Sequence, residues 1–382
     1  MIRIASKVWS VTEIFILVMV SVSPLLPKMV SVGLVFALLA ISVFWQFRKN
    51  GRIDINQELV VVMLLFMISM ALDLRNVTDT QPYSIVNFMY PCYFLCGFWV
   101  ARRYDKQQFY TIFEWIIFVC ACLSLVGMSL YFICPSHITS FPAYTYNGST
   151  HRTLFFFNYL FAGEAGEVMI VRNSGIAWEP GLFQILLSLA FQIAIQKYDR
   201  YRLFARVAVY VVAGALTRST LGYLMIVLNL IVLMIKHRKY IFLVLGVAAV
   251  GAPFIFDELL YQLQYKLAGS SAFEARFTPL VNAFKIAWKR PFGIGSTYYN
   301  AVYEELELGA YDSYMQIFLR YGYPILIYVM AKLYKIFRKD NWAMALILAI
   351  GFLSEPIWGS VLTIVFYYLE SSKKAVEEKH EI

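Results

Sequence analysis

Along most of its length the chain repeats apolar runs of about 15 to 25 residues, the length of helix that crosses a ~30 Å hydrocarbon layer. No other feature constrains the fold so strongly. In hydrocarbon each backbone polar group must be satisfied within its own element, so such runs predict helices. Of 382 residues, 60% are hydrophobic and 15% charged. The expectation is an all-α, polytopic transmembrane helical bundle forming a single integral membrane domain over 1–382. Read as helices, the runs fall at 9–26, 29–47, 59–72, 84–101, 109–134, 180–196, 203–217, 220–235, 240–256, 322–337, 342–354 and 357–369, about twelve spans. The first, from Trp9, follows Arg3 and Lys7, lacks a small-residue cleavage site and is followed at once by another run, so it reads as a retained span.

Alternate connections are rich in Lys and Arg: Arg48, Lys49 and Arg52; Arg102, Arg103 and Lys106; Lys197, Arg200, Arg202 and Arg206; Lys236, Arg238 and Lys239; Lys335, Arg338 and Lys339; Lys373 and Lys374. By the positive-inside rule these face the cytoplasm, together with both termini. The net charge of +9 is thereby explained by topology, without a nucleic-acid partner. Five cysteines lie in or at the ends of spans with no Cys/His metal spacing and read as small hydrophobes. With only four His in the chain, no metal centre is expected.

Two connections on the opposite face are long, 135–179 and 257–321, and long loops on a compact bundle are usually functional. In the second, Phe277, Leu280, Val281, Phe284, Ala287 and Trp288 recur at helical spacing opposite Lys285 and Lys289, which predicts an amphipathic helix at the membrane surface. It ends at Arg290, just before Pro291-Phe-Gly-Ile-Gly-Ser296, whose glycines suit either a turn or a backbone approach to an anion. The loop tyrosines suit an interfacial belt or stacking on sugar faces.

Charged residues at these borders carry two readings each. Glu179, between Trp178 and Pro180, fits a helix start, where a carboxylate meets the positive end of the dipole. That reading leaves Arg172 unexplained. Between Arg206 and Lys236 the apolar stretch gives about 50 Å of helix at ~1.5 Å per residue, two thin crossings, so Arg218 in the turn between them sits below the lipid surface. An Arg at that depth is either a snorkelling anchor or part of a site. Asp312 suits a helix N-cap or a general base.

In order, Arg172, Gly175, Glu179 and Pro180, then Thr217, Arg218 and Ser219, then Arg276, Pro291, Gly293, Gly295, Asp312, Ser313, Tyr314 and Gly322 resemble the O-antigen polymerase (Wzy-type) and O-antigen ligase superfamily. The resemblance covers roughly the second half of the chain. It implies a metal-independent, cofactor-free glycosyltransferase of the bacterial inner membrane. Such an enzyme joins undecaprenyl-diphosphate-linked oligosaccharide repeat units at the periplasmic face, in some cases with a chain-length regulator protein. The polymerases' Arg-x10-Gly pattern is absent, since Phe183 and Ala287 stand eleven positions after Arg172 and Arg276. The ligases' loop His is also absent from 257–321, which favours polymerase; ligase and lipid-linked oligosaccharide flippase are the alternatives. On this reading Arg172, Arg218 and Arg276, with Arg290 and Tyr314, bind diphosphate or glycan. Glu179 is the first choice of base and Asp312 the second.

Overall fold

The computed structural model describes residues 2–26, 28–53, 55–78, 82–135, 141–146, 149–154, 157–165, 168–238, 260, 281–286, 288–302, 312–339 and 341–371. Helices dominate: α1 (Ile2–Val22), α2 (Lys28–Asn50), α3 (Gln57–Asp73), α4 (Val86–Arg103), α5 (Lys106–Ile133), α6 (Pro180–Lys197), α7 (Arg200–Ala215), α8 (Thr220–Lys236), α9 (Ser296–Val302), α10 (Ser313–Arg338), α11 (Trp342–Ser354) and α12 (Val361–Ser371). Their starts are written into the sequence. The side chains of Asn56, Asp105, Ser219 and Asp312 each accept a hydrogen bond from a first-turn backbone N–H of α3, α5, α8 and α10. The expected span at 240–256 lies outside the described residues. Three helical stretches, Met29–Asn50, Gln57–Asn76 and Lys106–Ile133, are long and apolar enough to cross a membrane, and Thr220–Lys236 and Trp342–Ser354 are shorter apolar helices.

The first long connection overturns the all-α expectation. Residues 143–175 form an antiparallel four-stranded meander, β1 (Ala143–Tyr146), β2 (Ser149–Leu154), β3 (Phe157–Ala165) and β4 (Val168–Gly175), in the order β1-β2-β3-β4. The register pairs Tyr144 with His151, Arg152 with Tyr159 and Leu160 with Arg172. The sequence supports it: Asn147-Gly148 and Gly166-Glu167 separate β-branched and aromatic runs by two residues, the spacing of tight hairpins.

At the centre stands α6. Every residue from Pro180 to Ile195 is buried, enclosed by α5, α7, α8, α11 and β4. Such a helix needs polar contacts that match across its seams. Gln184 Nε2 donates to the Gly222 carbonyl at 3.2 Å and Gln192 Nε2 to Asn229 Oδ1 at 2.7 Å, which joins α6 to α8.

The two ends of the bundle differ. At the Lys- and Arg-rich end, buried carboxylates are closed into pairs. Glu114 accepts from Arg206 at 2.6 Å and from Tyr198 and Tyr210 at 2.9 and 2.8 Å. Glu13 accepts from Arg103 at 2.9 Å and Tyr104 at 2.7 Å, and Lys332 pairs with Glu58. Arg103 and Arg206, expected on topological grounds at the cytoplasmic side, are in addition mostly buried ion-pair partners, because each faces a carboxylate of a neighbouring helix. The other end carries the sheet.

At the sheet end α10 is kinked. Gly322 (φ +70°) breaks its helical path, and Pro324 has no N–H to give the Arg320 carbonyl. The segment Pro291–Gly295 makes up the difference. Ile294 N donates to the Leu319 carbonyl at 2.6 Å, Gly295 N to Arg320 at 3.2 Å, and Tyr323 N in return to Pro291 at 2.9 Å. The crossing is so close that a Cβ on Gly293 would lie 2.6 Å from the Arg320 carbonyl group. The preceding segment is helical at 281–286, as expected. Ala283 and Ile286 join the cluster with Phe318, and Phe284 and Trp288 meet the rings of Phe318 and Tyr323 at 6.0 and 6.3 Å while staying 45% and 63% exposed.

Gly322→Ala should therefore lower the unfolding temperature of the purified protein. Left-handed backbone alone costs about 1–2 kcal/mol in a non-glycine residue, and the methyl would meet the Pro291 carbonyl. An unchanged midpoint would mean that the crossing does not support the fold.

Candidate functional site

Strand β4 runs into the start of α6, and its last residues hold the turn between α7 and α8. Asn173, fully buried, donates from its backbone to the Leu216 carbonyl at 3.0 Å. Its amide donates to Ser124 Oγ at 3.1 Å and its Oδ1 accepts from Gly175 N at 3.0 Å. The neighbouring Arg172 reaches the same turn with two guanidinium nitrogens, Nε to the Thr217 carbonyl at 3.0 Å and Nη2 to the Arg218 carbonyl at 3.2 Å. Arg172 and Arg218, 46 positions apart in sequence, are thereby brought together. Arg218 has φ +49°, which for a non-glycine costs about 1–2 kcal/mol. The turn is held there by Arg172 and by Thr217, whose Oγ1 donates to the Gly214 carbonyl at 2.7 Å. Strain of this kind is found disproportionately at functional sites.

On another side of the α6 start the groups are acidic. Glu179 is the N-cap, partly buried, with Pro180 in the first turn, as the helix-start reading expects, but its side chain does not cap the helix. Glu355, 7% exposed, lies in the connection from α11 to α12, and its carboxylate fills the space that a side chain on Gly181 would need. The carbonyl of Glu355 accepts from Ser313 Oγ at 2.5 Å, and that hydroxyl accepts in turn from Ile357 N at 2.9 Å and Trp358 N at 3.1 Å. Next to Ser313, Asp312 caps α10 by accepting from Met315 N at 2.8 Å. Tyr314 donates to the Ala349 carbonyl of α11 at 3.1 Å. Contacts thus run from Gly181, two residues after Glu179, through Glu355 to Ser313, whose chain neighbour is Asp312.

The other expected residues fall elsewhere. Arg276 lies outside the described residues. Arg290 is exposed, and its carbonyl accepts from Gly293 N at 2.9 Å, which places it beside the α10 crossing. The N–H groups of Gly293, Ile294 and Gly295 donate to the carbonyls of Arg290, Leu319 and Arg320, and the anion beside this loop is one of the protein's own. Asp73, buried at the end of α3, accepts from Thr297 N at 2.9 Å, Asn87 Nδ2 at 2.5 Å and Asn76 Nδ2 at 2.8 Å. Both Glu355 and Asp73 were passed over in sequence because apolar runs surround them. A lone carboxylate in such a run is itself a signal, since it is costly without a partner. Among the described residues no group of three or more His, Cys, Asp or Glu side chains is placed to share a metal ion. No known protein-family model, curated protein or solved structure matches the chain.

Burial raises the Asp312 carboxyl above its ordinary 3.8, against the opposite pull of the Met315 and Tyr314 backbone N–H groups. The folded chain therefore holds this proton more tightly than the unfolded one. The contribution is full below pH 3.8 and is lost as pH rises through the raised value. Asp312→Asn keeps a cap acceptor and has no proton to lose, so its unfolding temperature should rise relative to the parent as pH climbs from 3.8 through the raised value. A difference that stays flat across that range would contradict a burial-raised carboxyl.

Proposed function

We propose that the protein is a surface-polysaccharide polymerase of the O-antigen polymerase type. It transfers a growing glycan from undecaprenyl diphosphate to a sugar hydroxyl of the next lipid-linked repeat unit. The observation that carries this reading is the meeting of Arg172 with the Arg218 turn beside the start of α6, where Glu179 is the N-cap and the Glu355 carboxylate lies against Gly181. A group transfer from a lipid diphosphate calls for cations toward the departing phosphates and a carboxylate toward the acceptor hydroxyl.

In this reading Arg218 faces the diphosphate. Arg172 fixes the Arg218 turn through two carbonyls. Glu179 takes the acceptor proton; Asp312, committed to its cap, comes second. Arg276, Arg290 and Tyr314 contribute to glycan or phosphate binding further along the loop. The sheet end is periplasmic and the Lys- and Arg-rich end, with both termini, is cytoplasmic in the inner membrane. About twelve spans and, as a partner, a chain-length regulator belong to the same reading.

Deletion of the gene in its native bacterium, followed by gel analysis of surface and lipid-linked glycans, tests the class. A single repeat on the surface anchor with the ladder gone is the expected result. Full-length polymer stranded on the lipid carrier would identify a ligase, and single repeats trapped in the cytoplasm a flippase. Complementation then tests the roles at equal protein level. Arg172→Lys cannot bridge both carbonyls and should lower polymer roughly 10- to 100-fold. Glu179→Gln should abolish it; polymer that persists there but disappears in Asp312→Asn would exchange the two carboxylates.

A further inference from the structure

The crossing of Pro291–Gly295 with the α10 kink holds a cation that none of these roles uses. Arg320 is the last residue but one before Gly322, and its backbone is locked on both sides, its carbonyl accepting from Gly295 N at 3.2 Å. Its guanidinium lies over the buried ring of Tyr299, 4.5 Å from the ring centre. The Nε–H is buried with no acceptor, and among the described residues Arg320 belongs to none of the ion pairs. The acid buried at the same crossing, Asp73, is engaged instead by Asn76, Asn87 and the Thr297 backbone.

A stacked guanidinium is held in one plane while its edge, with parallel N–H donors, stays directed away from the ring. That edge matches the two oxygens of a phosphate or carboxylate, and a buried N–H without an acceptor asks for one. We propose that Arg320, stacked on Tyr299, binds an oxyanion at a site separate from the Arg172–Arg218 pair. A phosphate of a lipid headgroup or lipid diphosphate and the carboxylate of an acidic sugar share this chemistry. The inference does not depend on the polymerase reading, because binding is read without any glycan product.

The test is calorimetric titration of the full-length protein in phosphatidylcholine nanodiscs, with inorganic pyrophosphate in one arm and glucuronate in the other. Introduced into an Arg218→Gln background, so that only this site is read, Arg320→Gln should weaken the remaining binding about 10- to 100-fold in at least one arm. Arg320→Lys should recover only part of it, and Tyr299→Phe, which keeps the ring, all of it. Loss in the pyrophosphate arm alone identifies a phosphate source, loss with glucuronate alone an acidic sugar, and loss in both a general oxyanion site. Unchanged affinity in both arms overturns the proposal. Should Arg320→Gln not fold, Tyr299→Leu decides in its place: it leaves the guanidinium present but unstacked, and unchanged affinity in both arms would again overturn the site.

Discussion

A helix enclosed on every side has no water to satisfy its ends, and α6 is such a helix. Its side chains from Pro180 to Ile195 are buried, so its exposed first-turn N–H groups and its dipole must be answered by whatever the neighbouring elements bring to them. Much of the sheet end follows from this. Glu355 is drawn from the α11–α12 connection onto Gly181, and Ser313 binds that connection to the start of α10. On another side β4 delivers Asn173 and Arg172 to the α7–α8 turn, which packs on Gln184 one turn further along. The groups that could perform chemistry are therefore set by the helix they surround, and share one frame.

A second constraint is the α10 kink. Proline and a left-handed glycine deprive the helix of hydrogen bonds that a hydrophobic surrounding would make expensive to lose. The segment 291–295 replaces them with backbone groups of its own, and Asp73 secures the far side of that segment through Thr297. Glycines 293 and 322 thus serve contact between backbones, and Gly295 leaves room for the Asp73 side chain. The N–H groups of Gly-Ile-Gly donate to carbonyls, so the loop is a backbone crossing, with Thr297 N beyond it meeting the Asp73 carboxylate.

How far this could be read from sequence depended on the kind of interaction involved. Helices were legible because a long apolar run has few alternatives, and the caps at Asn56, Asp105, Ser219 and Asp312 mark their starts. The α7–α8 turn with Arg218 was legible from counting rise per residue. The sheet was missed although Asn147-Gly148 advertised a hairpin, because its strands are short and their alternation is weak beside the neighbouring spans. The pairing of Arg172 with the Arg218 turn, and of Glu355 with Gly181, was not legible. Each joins residues distant in sequence, and a backbone carbonyl acceptor leaves no mark in composition.

The two ends of the bundle use the same residue types for opposite purposes. At the Lys- and Arg-rich end Glu114, Glu13 and Glu58 each meet a cation directly, so charge is cancelled where it is buried and what remains is cohesion between helices. At the sheet end the guanidinium of Arg172 is secured by carbonyl oxygens and that of Arg320 by an aromatic ring. Neither kind of contact itself cancels a full charge, and Arg320, which enters none of the ion pairs among the described residues, leaves a positive potential directed at its surroundings. A carboxylate partner stabilises an arginine by ending its electrostatic reach; a carbonyl or a ring stabilises it while preserving that reach. A protein that only needed to hold these helices together would gain nothing from the second arrangement, whereas one that must attract an anion at this end requires it.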